Sequence, residues 1–183
     1  MQQIFDFLLA NEKIATALTA IAALFVSLLS MLLACMNLWM QRTHNRKSVL
    51  PVGHITVGDY EDEISVRLCN DGVGPLIVDK VSVFQNDEER DSKTSIIEFM
   101  PALPGDYAWA TFAREIKGRA ISPAEEITLI SLKGFPEQED FEVSKVIVRR
   151  ILSTMTVKIE CKNIYDEKMP TVSRNLPWFG RTL

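Results

Sequence analysis

Two hydrophobic patterns divide the chain. From Ile14 to Gln41 there are 28 residues without one charge, and beyond Pro51 the apolar positions fall into short alternating runs. Read as a helix at about 1.5 Å per residue, the first run is roughly 42 Å long, more than the ~30 Å hydrocarbon core of a bilayer. It predicts a transmembrane helix over 14–41. Within it Thr16, Ala20, Ala23, Ser27, Ser30, Ala34, Asn37 and Gln41 recur at spacings of four and three, so one seam is small or polar throughout. Small seams let membrane helices approach closely, which predicts self-association through that face, either as ordinary packing or, in a ring, around a polar lumen.

Residues 1–13 place Ile4, Phe5, Leu8 and Leu9 against Gln3, Asp6 and Glu12, the composition of a segment lying at the membrane interface or of a helical extension of the span. Asn11 is a candidate N-cap. After the span, 42–51 reads as a basic juxtamembrane linker containing Arg42, His44, Arg46 and Lys47, closed by Pro51.

Over 52–183 the period is two. Glu63–Asn70 sets Ile64, Val66 and Leu68 against Ser65, Arg67 and Cys69, a half-buried strand. The run Asn70-Asp71-Gly72-Val73-Gly74-Pro75 has turn chemistry, and Leu76–Phe84 follows as the return strand of an expected hairpin. Further strands are predicted at Val52–Val57, Ser95–Phe99, Trp109–Ala113, Ile127–Leu132 and Thr156–Lys162, with turns at Asn86–Asp91, Pro101–Asp106 and Gly134–Asp140. Val143–Met155 mixes helical spacing with β-branched neighbours and predicts a short helix leading into a strand. The apolar tail Leu176–Gly180 is expected to dock on the domain or to lie against the membrane. Strands dominate without βαβ alternation, so the expected fold is mainly β: one N-terminal transmembrane helix, then an antiparallel β-sandwich or small β-barrel with at most one short helix.

Charge adds direction. Residues 1–47 carry Lys13, Arg42, Arg46 and Lys47 against Asp6 and Glu12, a net +2, and the remainder carries 16 basic and 22 acidic residues, a net −6. Basic residues collect on the cytoplasmic side of a span, which predicts a single-pass protein of the bacterial inner membrane with its C-terminal domain in the cytoplasm. Cys35 lies in the span and only Cys69 and Cys161 remain for the domain, a sparing use of cysteine that suits a reducing compartment. Leu32-Leu33-Ala34-Cys35 has the form of a lipoprotein cleavage site, but its n-region is acidic and its apolar run exceeds the ~7–15 residues of a signal h-region. The acidic domain argues against general nucleic-acid binding, which needs clustered Lys and Arg.

No catalytic chemistry is legible. His44 and His54 lack partners at metal-ligand spacing, serine has no Gly-x-Ser-x-Gly context, and no phosphate-binding Gly-rich motif is present. The acidic runs Asp59–Glu63 and Asp87–Asp91 lack the ordered ligand positions of a calcium loop. The reading is therefore non-enzymatic, without metal or cofactor. One binding arrangement is open: the N–H groups around Gly72 and Gly74 would cradle an anion if the fold gathered Arg114, Lys117, Arg119, Arg149, Arg150 and Arg174 about them. The alternative is a tight turn and scattered surface cations.

Gln41-Arg42-Thr43-His44-Asn45-Arg46-Lys47-Ser48-Val49-Leu50-Pro51, Asn70-Asp71-Gly72-Val73-Gly74-Pro75-Leu76-Ile77, Ile164-Tyr165-Asp166 and Trp178-Phe179-Gly180 together resemble a family of bacterial single-span membrane proteins with a small cytosolic β-rich domain. That resemblance implies architecture and carries over no site residue. The layout is loosely similar to membrane effectors of antiphage nucleotide signalling, in which a second messenger binds the β-domain and the membrane part disrupts the bilayer. The expectation is an oligomeric membrane receptor or effector. Its partners would be the bilayer, further copies of itself, and a cytosolic protein or a small anionic ligand such as a cyclic nucleotide. The alternative is a passive inner-membrane anchor or assembly subunit.

Overall fold

The computed structural model describes residues 6, 12–86, 88–104 and 108–182. The interfacial segment expected before residue 12, and the Asn11 cap, lie outside them. The chain divides into two compact units, Met1–Lys47 and Ser48–Leu183.

In the first unit, helix α1 (Glu12–Ser48, 37 residues) contains the charge-free run. Its apolar window has a mean hydropathy of 2.4 with none of it buried inside the protein, so it is long and apolar enough to cross a membrane. The hydroxyls of Thr16 and Ser30 donate to the carbonyls of Glu12 and Val26, each at 2.8 Å, which satisfies them within the helix. α1 also continues through Arg42–Ser48, where a linker was expected. No Gly or Pro interrupts it before Pro51, and Arg46 and Lys47 complement the negative end of the helix dipole.

The second unit is built on two antiparallel sheets, one of them a half-barrel, with one short helix. One sheet contains β1 (Gly53–Asp59), β2 (Glu63–Asn70), β4 (Thr111–Phe112) and β6 (Glu126–Lys133) in the order β1-β2-β6-β4. The other contains β3 (Leu76–Gln85), β5 (Ala120–Ile121), β7 (Met155–Lys162) and β8 (Val172–Asn175) in the order β5-β3-β7-β8. Ile64, Val66, Leu68, Ile130 and Leu132 from one sheet and Leu76, Val78, Val83, Val157 and Ile159 from the other form a shared buried core.

The expected hairpin of β2 and β3 does not form. β2 pairs with β1 and β6, and β3 pairs with β5 and β7, so the chain crosses between sheets at Asn70–Pro75. Both edges of β2 are already occupied, and the apolar sides of β2 and β3 meet across the core instead of side by side. Asn70, fully buried, holds the crossing: its Nδ2 donates to the carbonyls of Gly74 (2.8 Å) and Ile121 (3.0 Å). Its Oδ1 accepts from the N–H groups of Val52 (3.2 Å) and Gly72 (3.0 Å).

Ser95–Phe99, expected as a strand, is instead a short 3-10 helix over Ile96–Phe99. The Glu98 carboxylate reaches back to the backbone N–H groups of Thr94 (3.2 Å) and Ser95 (3.0 Å), a capping box that outweighs the strand preference of two isoleucines. The predicted helix is α2 (Glu139–Leu152), acidic in its first turn and basic in its last, with Phe141, Val148 and Leu152 buried. The tail docks on the domain: Leu176 and Phe179 are fully buried, the latter in a 3-10 turn over Pro177–Thr182.

Candidate functional site

The pattern of β3 slips. Its inward positions are Leu76 and Val78, then Val81 and Val83, three residues apart where strict alternation requires two. The structure absorbs the extra residue as a bulge between Val78 and Lys80 opposite β7. At this bulge the segments flanking the free side of β3 turn away. Val78 exchanges hydrogen bonds with Gly118 (2.7 Å) and Arg119 (3.0 Å), and Val83 exchanges two with Lys93, both 2.8 Å. Gly118 takes φ +76°, a left-handed turn suited to glycine, and the Ser95 capping box bends the other segment aside.

Between them opens a groove of about 880 Å³, within the range of small-ligand sites. Val81, Ile97 and Ile116 give it an apolar floor, and Lys80, Thr94, Glu98, Arg114, Glu115 and Lys117 give it a polar rim. Glu98 takes its capping bonds on Oε1, including one from the Thr94 hydroxyl at 3.1 Å. The Arg114 guanidinium lies 5.7 Å over the Phe112 ring. Among the described residues, no ion pair involves Lys80, Arg114 or Lys117, so the rim presents three cations against the two carboxylates of Glu98 and Glu115.

Of the residues singled out in the sequence, Arg114 and Lys117 meet here. The others are elsewhere. A Cβ at Gly72 would collide with the backbone of Leu50–Val52, and one at Gly74 with the Val49 carbonyl. Those glycines admit the chain's own segment, and the Gly72 and Val73 N–H groups are bonded to Asn70 and Leu50. Arg149 pairs through Nε and Nη2 with the two Asp59 carboxylate oxygens at 2.9 and 2.7 Å. Arg174 donates to the Ile55 carbonyl, tying β8 to the free edge of β1. Arg119 and Arg150 are exposed and do not line the groove. The seam residues Thr16, Ala20, Ala23, Ser27, Ser30, Ala34, Asn37 and Gln41 are all exposed along α1.

Sequence reading missed Lys80, Thr94, Glu98 and Glu115 as neighbours. The signals were present: the slip between Val78 and Val81, the Ser95-x-x-Glu98 box and Gly118.

A second polar cluster lies on the outer face of the first sheet. Arg67 bridges Glu63 (2.9 Å) and Glu126 (3.0 Å), and Ser131 donates to Glu63 at 2.9 Å. Burial alone would raise the Glu63 carboxyl, but the Ser131 and Arg67 hydrogen bonds, with the Arg67 and Lys133 charges, hold it below its ordinary value. Burial pushes the Cys161 thiol up to about 11 and raises that of Cys69, so both are held as unreactive thiols. Compared with known proteins, the chain matches no protein-family model and no curated sequence.

Proposed function

We propose that the protein is a non-enzymatic membrane receptor. α1 anchors it in the bacterial inner membrane as an oligomer, and the β-domain faces the cytoplasm and binds a ligand or protein partner. The membrane helices respond, perturbing the bilayer in antiphage defence. The observation that carries this reading is the groove, which offers three cations, none of them ion-paired among the described residues, over an apolar floor on a chain whose sequence has no legible catalytic constellation. Such a rim favours an anionic partner, and a cyclic nucleotide is one small candidate. The cytoplasmic orientation rests on Arg42, Arg46 and Lys47 after the span, and the effector role on the layout similarity.

The seam supplies the test. Leucine at Ala23, Ser27 and Ser30 together should weaken close helix approach, reducing crosslinked oligomer and any depolarisation that the full-length chain causes in cells. A crosslinking ladder identical to that of the parent chain would contradict assembly through this face. A passive anchor for a cytosolic partner is the second reading, favoured by the Thr16 and Ser30 hydroxyls, which are satisfied within their own helix. Unchanged membrane potential under full expression, with and without the seam substitutions, would select it.

A further inference from the structure

The backbone of β3 points a peptide group into the groove. On β7 the carbonyls of Met155 and Cys161 accept from the N–H groups of Leu176 and Met169, so these alternate residues face β8. The residues between them, Thr156, Lys158 and Glu160, turn their peptide groups to β3, opposite Phe84, Ser82 and Lys80. Val81 and Val83 on β3 consequently point theirs to the opposite, outer side. Val83 is met there by Lys93, and beyond the bulge Val78 is met by Gly118 and Arg119. Val81 is met by neither, because the two flanking segments have already turned away, and among the described residues no other backbone group bonds it on that side.

We propose that this window receives an extended acidic peptide segment of a partner protein. In this arrangement one partner residue exchanges N–H and C=O hydrogen bonds with Val81, and its acidic side chains reach Lys80, Arg114 and Lys117. The proposal rests on the reading of the β-domain as a receptor and names the class of partner. An unpaired strand residue has one natural complement, the C=O and N–H of another extended chain. At about 3.3 Å per residue, the stretch from Val78 to Val83 is roughly 16 Å long, so about three partner residues fit before Lys93 and Gly118 close the window. Charge sets the partner's sign, since Lys80, Arg114 and Lys117 outnumber the carboxylates of Glu98 and Glu115, and Glu98 turns Oε1 to its capping donors.

The test is panning of phage-displayed random hexamers against the full-length chain in nanodiscs, with empty nanodiscs for subtraction. Acidic sequences should be enriched. Synthetic versions should lose roughly tenfold in affinity when one central amide is N-methylated, as expected for loss of a single backbone hydrogen bond. A similar or larger loss is expected with Arg114→Glu/Lys117→Glu, two exposed positions whose reversal spares the core. Enrichment of nothing above empty nanodiscs would overturn the proposal, as would peptides indifferent to every N-methylation and to the charge reversal. Membrane potential separates the two readings. Depolarising cells with an empty selection leave the receptor standing without the peptide, whereas acidic binders on a chain that never depolarises leave the peptide site on an anchor.

Discussion

Asn70 is a fully buried polar side chain, and its four hydrogen bonds connect three separate stretches: the entry at Val52, the crossing at Gly72 and Gly74, and β5 at Ile121. Each intramolecular hydrogen bond contributes about 0.5–1.5 kcal/mol net, and a buried group left without its partner costs more. Asn70→Ala should therefore destabilise the domain by roughly 2–4 kcal/mol. Asn70→Asp should be no better, because it turns an acceptor toward the Gly74 and Ile121 carbonyls where a donor is needed. Thermal melts of the two variants beside the parent chain check this. A melting temperature unchanged in both would mean that the crossing is held by Gly72 and Gly74 packing on Val49–Val52 alone.

Strands whose two faces differ in polarity were legible: β2, β6 and β7 lie where alternation of Ile64, Val66 and Leu68, or of Val157, Ile159 and Cys161, places them. Pairing was not legible, because alternation reports which side is buried and is silent on which neighbour supplies the hydrogen bonds. For that reason the Asn70–Pro75 turn read as a hairpin. β5 and β8, at two and four residues, are too short to show a period, and Ile96–Phe99 was decided by a cap instead of by its apolar content. The candidate groove was half legible. Arg114 and Lys117 stood out as charges, but Lys80 and Thr94 reach them only through the long-range pairing of β3. Long-range ties also fix α2. Arg149 pairs with Asp59 at the end of β1, with side chains only 16% and 3% exposed, and the buried Lys145 donates to the Glu61 carbonyl at 2.8 Å. Arg149→Met leaves Asp59 buried without its counter-charge, a loss of about 3–5 kcal/mol, whereas pairing it with Asp59→Asn should recover much of that. Chemical denaturation of the two variants measures the difference. Equal losses in single and double variants would show that α2 is held by Phe141, Val148 and Leu152 without help from the pair.

At the scale of the molecule, the two units differ in where they place their apolar residues, and this determines what the C-terminal tail can do. α1 exposes its apolar residues throughout, with Leu18, Phe25 and Leu32 between 58% and 71% exposed, so its stability depends on what surrounds it. The β-domain buries its own core, and the tail belongs to that core. Leu176 and Phe179 are 0% exposed, the Leu176 N–H donates to the Met155 carbonyl at 2.9 Å, and Phe179 meets Trp178 edge to face at 5.2 Å. A tail resting on lipid would leave Phe179 available, and here it is enclosed. Truncating a buried Phe or Leu to Ala removes roughly 3–5 or 2–5 kcal/mol, against a whole-domain stability of about 5–15 kcal/mol. Ending the chain after Asn175 removes both side chains and the backbone bond to Met155. The truncated β-domain should therefore be cut rapidly by protease in membrane preparations, while α1 stays membrane-associated. Phe179→Ala should show a graded version of the same sensitivity. A truncated domain as resistant as the parent would mean that the core closes without the tail, and that the two sheets and α2 alone bury enough surface to fold.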